Sequence, residues 1–85
     1  MRLNLEFFGP IGDQVGNHRT KLTLDGAPKT VADLVEQLAS QLENGGALRD
    51  PHLRLAINDQ FCGKTDAIVL NDGDHIAVLS PFSGG

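Results

Sequence analysis

One segment with helically spaced apolar residues lies between two groups of strand-like segments, and this order constrains the fold more than any other feature of the chain. Thr30 is a good N-cap, and Asn44-Gly45-Gly46 is typical of a left-handed cap at the helix end. The chain has 85 residues, enough for one small domain with a single core. The helix must therefore bury its apolar face against a sheet, and that face comprises Val31, Leu34, Val35, Leu38 and Leu42.

The strand-like segments are those in which apolar and polar residues alternate. Gly9-Pro10 and Gly16-Asn17 predict a loop between the first two strands, residues 48–52 a short connection with one helical turn, and residues 71–74 a turn. The pattern of the apolar segment 66–70 does not indicate which type of secondary structure it forms. We expect an α+β fold in which a mixed sheet of four to five strands packs on one main helix, with strands at 2–8, 20–24, 53–58, 60–62 and 75–79.

The charge of the chain argues against one class of partner. It contains 7 basic and 11 acidic residues, for a net charge of −4, and no cluster of basic residues that would bind a nucleic-acid backbone. A basic protein partner would be compatible with this charge, and so would a role in solubility alone.

Cysteine usage and hydropathy predict the compartment. A single cysteine, Cys62, excludes an internal disulfide and fits a reducing environment. No charged-then-apolar leader and no apolar run of membrane-spanning length is visible. We therefore predict a cytoplasmic protein with no membrane association.

Few side chains in the sequence suggest chemistry of their own. His18, His52 and His75 are too far apart in sequence to indicate a metal site. Cys62 is interpreted as a packing residue, with a reactive thiol as the alternative, and paired acids such as Asp72 and Asp74 as turn residues.

The unusual chemical group is the terminal carboxylate of Gly85. No side chain stands beside it in Gly84-Gly85, so such an end can enter a narrow channel and be activated there. A Gly-Gly end also arises by chance, and the rest of the chain must support this interpretation.

Several short motifs together resemble one known family. They are Phe7-Phe8-Gly9 followed by Val15-Gly16, then Ile57-Asn58, and Asp72-Gly73-Asp74 at a fixed distance from Pro81 and Gly84-Gly85. With these motifs, the whole chain resembles the MoaD/ThiS ubiquitin-like sulfur carriers, and within them the small subunits of molybdopterin synthase. The resemblance implies a ubiquitin-like β-grasp domain over residues 1–80 and a flexible tail over residues 81–85.

The same resemblance implies a function for the tail. An E1-like enzyme would use ATP to adenylate Gly85, and a sulfurtransferase system would then convert it to a thiocarboxylate. The tail would enter the larger synthase subunit, in a heterotetramer, and donate sulfur to the pyranopterin precursor of the molybdenum cofactor. The chain would bind no cofactor or metal and would not be catalytic alone.

Further residues are expected to help the tail engage its partner. Gly84 would lie extended where a Cβ would clash, next to Ser83, while Pro81 and Phe82 would form a stiff apolar anchor. The alternative for Pro81 and Phe82 is strand termination and packing. Phe7 would extend that apolar surface, with core packing as an equal alternative.

Three alternatives to molybdopterin synthesis stay open. Ser80 and Phe82 depart from the commonest tail of the family, which leaves thiazole synthesis, tRNA thiolation or amino-acid sulfuration as possible clients. A ubiquitin-like protein modifier would use the same activated Gly85. A non-catalytic binding domain would carry Gly84-Gly85 incidentally.

Overall fold

A mixed sheet forms one layer of the protein. The computed structural model describes residues 1–16 and 18–80. The strands of its five-stranded sheet lie in the order β2-β1-β5-β3-β4, with β1 and β5 parallel and the other neighbours antiparallel. The expected α+β fold is confirmed, with strands β1 (Arg2–Phe8), β2 (Arg19–Thr23), β3 (Arg54–Ile57), β4 (Gln60–Cys62) and β5 (His75–Leu79).

The main helix covers one face of this sheet. Helix α2 spans Val31–Gln41, and its N-cap Thr30 accepts a hydrogen bond from the backbone N–H of Asp33 at 3.2 Å. The predicted helix and its cap are therefore confirmed. A 3₁₀-helix follows at Gly45–Arg49. The left-handed cap predicted at Asn44-Gly45-Gly46 is wrong as the end of α2, because the C-cap is Leu42 in an extended conformation. The left-handed residue Asn44, with φ 56°, instead precedes the 3₁₀-helix, and neither Gly45 nor Gly46 has a positive φ.

The core lies between α2 and the inner face of the sheet. The predicted helical face supplies Val31, Leu34 and Leu38, which are at most 2% exposed, while Val35 and Leu42 are half-buried at its margin. These side chains pack in one cluster with inward residues of the strands, namely Leu3, Leu5, Phe7, Leu55, Ile76 and Val78. The alternation predicted for the strands is thus the alternation that builds the core.

The loop predicted between the first two strands is wrong in part, because a short helix lies there. Helix α1 spans Pro10–Val15, and both Ile11 and Val15 point into the core. Proline suits the first position of a helix, and Gly16 closes it in the left-handed conformation with φ 79°. Glycines on both sides made the segment resemble a loop, although Ile11 and Val15 have the i, i+4 spacing of one helical face.

The segment left open in the sequence, residues 66–70, crosses the start of α2. Ala67 forms an isolated antiparallel bridge with Thr30. The carbonyl oxygens of Asp66 and Lys64 accept hydrogen bonds from the N–H groups of Val31 and Ala32, at 3.2 and 3.1 Å. Asp66 in this segment and Lys64 just before it therefore satisfy helix-terminal donors that have no partner within the helix.

Candidate functional site

The end of β5 lies beside the end of β1, and the residues predicted to form the tail follow β5 in sequence. Because β1 and β5 are parallel neighbours, Leu79 pairs with Phe8, and both strands finish at the same end of the sheet. Ser80 is the last described residue before Pro81. Its N–H donates to the carbonyl oxygen of Phe8 at 3.0 Å, and its Oγ accepts from the N–H of Ile11 at 2.7 Å. Ser80, which precedes the predicted tail, is therefore held on the domain by two hydrogen bonds.

An apolar surface lies next to this position, on the sheet face opposite α2. The register places outward residues side by side: Phe8 beside Leu79, Ala77 beside Ala56, and Ala56 beside Phe61. Phe8 is 43% exposed and Phe61 is 54% exposed. We call this surface the outer patch. It comprises the exposed Phe8 and Phe61 and the half-buried Leu79, together with Ala56 and Ala77, which share this face but are buried beneath their neighbours.

Charged side chains border the outer patch on two sides. The Arg54 guanidinium lies over the Phe61 ring, 4.3 Å from its centroid, a cation–π arrangement. Toward β2, Glu6 Oε1 lies 3.0 Å from His75 Nε2, and Glu6 Oε2 accepts from Arg19 Nη2 at 3.3 Å. An apolar centre with a polar rim is the usual anatomy of a protein-binding surface.

The Asp72-Gly73-Asp74 motif has a structural role at the opposite end of the sheet. Asp72 Oδ1 accepts from the N–H of Arg2, and the Gly73 N–H donates to the Arg2 carbonyl at 2.7 Å. Asp74 Oδ1 accepts from Asn58 Nδ2 at 3.1 Å, while Asn58 Oδ1 accepts from the N–H of His75 at 3.0 Å. The turn therefore ties β1, β3 and β5 together and fixes the place where β5 begins.

The predicted site residues of the tail, Pro81, Phe82, Ser83, Gly84 and Gly85, lie outside the described residues, so their roles stay predictions. Phe7 is described, and its expected place on the partner surface is corrected. Its side chain is 2% exposed and packs in the core, because inward positions of β1 alternate with outward ones.

Sequence reasoning missed the residues that do form the surface. Phe8 and Phe61 are the exposed aromatic residues of the outer patch. The alternation of β1 already places Phe8 opposite to Phe7, so the signal for Phe8 was present. Phe61 lies in a strand of three residues, too short to show on which face a side chain lies.

The other residues considered for chemistry make separate local contacts. His18 lies 3.5 Å from Asp13, His52 lies 3.2 Å from Asp50, and Cys62 is half-buried at the core margin. Within residues 1–16 and 18–80, no group of three or more His, Cys, Asp or Glu could hold a metal ion. The pKa of Asp50 lies below its ordinary value, mainly because the N–H of His52 donates to its carboxylate at 2.8 Å.

The hydropathy of the helices gives one further observation. In the part of the chain that the structure describes, no helix has both the length and the apolar character needed to cross a membrane.

Comparison with known sequences identifies relatives over the whole chain. A protein-family model described as the ThiS family matches residues 5–85. A molybdopterin synthase sulfur carrier subunit of Aedes aegypti is 32% identical over 89 residues, covering 100% of this chain and 90% of the relative.

Solved structures of similar shape support the fold. SAMP1 from Haloferax volcanii matches with a TM-score of 0.72 and 21% identity over 100% of both chains. A complex of subunits 1 and 2 of the molybdopterin-converting factor from Helicobacter pylori 26695 matches with a TM-score of 0.65 and 24% identity, again over 100% of both chains. At these identities the likeness establishes the ubiquitin-like β-grasp fold.

The family match and the fold agree with each other and with the motifs of the sequence. The family model covers both the described domain and the tail with Gly84-Gly85. The chain therefore belongs to the ThiS family, the ubiquitin-like sulfur carriers that its sequence resembles.

Proposed function

We propose that this protein is the sulfur carrier subunit of molybdopterin synthase, with sulfur carried as a thiocarboxylate on Gly85. The observation that carries the proposal is the 32% identity to the Aedes aegypti subunit across the full length of this chain. The Gly84-Gly85 end supports it, because an unhindered carboxylate is the group that such a carrier needs.

The chemistry of the tail requires activation, because a carboxylate is a poor electrophile. In the proposed sequence, a carboxylate oxygen of Gly85 bonds to the α-phosphorus of ATP and pyrophosphate leaves, giving an acyl adenylate. The outer sulfur of a sulfurtransferase persulfide then attacks the carbonyl carbon and AMP leaves, which gives an acyl disulfide. A thiol attacks the sulfur that remains bonded to the sulfurtransferase, so a disulfide forms there and the Gly85 thiocarboxylate is released. ATP is a substrate of the E1-like activating enzyme in this proposal, and the chain itself binds no cofactor.

The outer patch supplies a docking surface for the larger proteins that handle the tail. Exposed Phe8 and Phe61 lie on the same sheet face, and Phe8 is a direct neighbour of the strand from which the tail emerges. Buried aromatic and arginine side chains dominate binding energy at interfaces, and Arg54 accompanies Phe61 here. We propose the large synthase subunit as a partner, in a heterotetramer with two carrier chains.

Intact-mass analysis tests the proposed function directly. The full chain, isolated from its native cell together with its activating enzyme, is expected to show one oxygen replaced by sulfur at its C-terminus. Deletion of Gly85 should abolish this mass change and molybdenum-cofactor synthesis together. Gly26→Ala serves as a matched control, since no atom lies within 4 Å of a Cβ placed there. A wild-type chain that never gains sulfur would contradict the proposal, as would full cofactor synthesis after the deletion.

Two observations separate the remaining alternatives. A modifier would form a ladder of covalent conjugates that depends on Gly84-Gly85, visible in an immunoblot of the tagged chain. A carrier for another pathway would co-purify with a large partner other than the molybdopterin synthase subunit. A non-catalytic domain would keep partner binding and cofactor synthesis after one residue is appended to Gly85.

A further inference from the structure

We propose that Ser80 is a positioning residue that holds the root of the tail, so that the tail leaves the domain at a fixed place beside the outer patch. This inference rests on the proposed function for its consequence, since it concerns how Gly85 is presented. The contact itself is a property of the fold.

Ser80 makes two hydrogen bonds to a segment far away in sequence. Its N–H continues the pairing of β5 with β1 by donating to Phe8 at 3.0 Å, and its Oγ accepts from the Ile11 N–H at 2.7 Å. Ile11 is buried in the first turn of α1, where backbone N–H groups have no acceptor within the helix. Loss of the Ser80 hydroxyl would therefore leave a buried donor without this partner, which is unfavourable.

Gly9 permits this close approach. Its φ is 81°, and a Cβ placed on it would lie 3.2 Å from the Cβ of Ser80. A side chain at this position would be both strained and crowded. The glycine of the Phe7-Phe8-Gly9 motif thus makes room for Ser80 against the chain between β1 and α1.

The next residue limits the conformation of Ser80 further. Pro81 disfavours the helical region for the residue before it and favours an extended one, which continues the direction of β5. The five residues from Pro81 to Gly85 can span at most about 17 Å when fully extended. A partner docked on the outer patch must therefore place its reactive centre within about 17 Å of Ser80.

Holding the root raises the chance that Gly85 reaches that centre. A tail that starts from one position and direction searches a smaller volume than a tail whose root is free. Docking through Phe8 and Phe61 does not involve the Ser80 hydroxyl, so binding and positioning are separable. We expect a change at Ser80 to act on the rate at saturation more than on affinity.

The first measurement needs no partner. Amide hydrogen exchange in Ser80→Ala is expected to accelerate at Ile11 by about tenfold or more, with exchange in the centre of α2 unchanged. Ser80→Thr keeps the hydroxyl and should retain Ile11 protection. Ser40→Ala is the matched control, since the Ser40 hydroxyl donates to Gln37 on the exposed side of α2. Unchanged exchange at Ile11 in Ser80→Ala would overturn the proposed contact.

The second measurement follows ATP-dependent release of pyrophosphate by the activating enzyme at varied carrier concentration. Ser80→Ala is expected to lower kcat about three- to tenfold with little change in KM, and Ser80→Thr should restore kcat. Equal kcat for Ser80→Ala and wild type would overturn the positioning role. A wild-type chain that is not adenylated would instead overturn the proposed function, and the Ile11 exchange would still decide whether the contact exists.

Discussion

At the scale of single residues, Gly45 occupies a position where close packing, and not a positive φ, requires glycine. Its backbone has no positive φ, yet a Cβ placed on it would overlap the backbone carbonyl of Ala39. Gly46, its neighbour, has only the Arg49 side chain nearby, at 3.8 Å. The two glycines look alike in sequence and meet different surroundings in the fold.

This contrast gives a paired stability prediction. Gly45→Ala should lower the free energy of unfolding by about 2 kcal/mol or more, because the 3₁₀-helix must move away from α2. Gly46→Ala should change it by less than about 0.5 kcal/mol. Urea denaturation followed by circular dichroism measures both, and equal midpoints for the two variants would contradict the packing argument.

Ser80 is a second single residue whose identity is explained by a local contact. Its departure from the commonest family tail is explained by a hydroxyl that accepts a hydrogen bond from Ile11. A proline at this position would lack the N–H that donates to Phe8, and an apolar residue would lack the hydroxyl. Serine therefore suits this position, where the end of β5 lies close to Gly9 in this chain.

At the scale of elements, two adjacent residues of β1 have different roles. One stabilises the core, and the other belongs to the surface proposed for partner recognition. Phe7 points into the core and is 2% exposed, whereas Phe8 points outward and is 43% exposed. A strand turns successive side chains to opposite faces, so one Phe packs against α2 and the other borders the tail root.

Substitutions of the two phenylalanines are expected to change different quantities, stability in one case and partner affinity in the other. Phe7→Ala should lower the free energy of unfolding by about 3–5 kcal/mol through loss of buried area and a cavity. Phe8→Ala should leave stability within about 1 kcal/mol of wild type and weaken binding to the large synthase subunit about tenfold or more. Denaturation and titration calorimetry measure the two effects. Unchanged affinity in Phe8→Ala would remove the outer patch from the interface.

Helix α1 is an element that the sequence patterns did not predict. The periodicity of α2 extends over three turns and was predicted with its N-cap, while α1 has six residues and two flanking glycines. A short helix gains its stability from tertiary contacts, here through Ile11 and Val15 in the core. Local propensity alone therefore could not distinguish it from a loop.

At the scale of the whole molecule, the last strand of the described residues, β5, is the central strand of the sheet. β5 pairs with β1 on one side and with β3 on the other, so the core cannot form without residues 75–79. The predicted tail would begin two residues after the end of this strand, at Pro81, and the predicted domain boundary at residue 80 stays to be tested.

Truncation tests that boundary. A chain of residues 1–80 should unfold cooperatively with a free energy within about 0.5 kcal/mol of the full chain, because the core cluster and all strand pairs of the described sheet lie within it. A chain of residues 1–74 lacks β5 and should not fold. Thermal denaturation by circular dichroism checks both. A large loss of stability in the 1–80 chain would show that the tail is part of the domain.

The sequence by itself determined the fold class and the candidate chemistry. Periods of two and of 3.6 residues, together with turn residues, were enough to predict the sheet, α2 and the core faces, because burial imposes those periods locally. Motifs spread along the chain carried the resemblance to sulfur carriers, and the family match confirmed it. Gly84-Gly85 could be recognised in the sequence because its chemical character does not depend on contacts made in the fold.

Only the tertiary structure decided what surrounds the start of the tail. The parallel pairing of β1 with β5 brings Ser80 next to Phe8 and next to Ile11, which lies 69 positions earlier in sequence, and no local pattern encodes that pairing. It also decided that Phe61, in a strand of three residues, lies exposed on the same sheet face as Phe8. Long-range strand order and helix packing choose these neighbours, since the same local periods are compatible with several registers and several sheet orders.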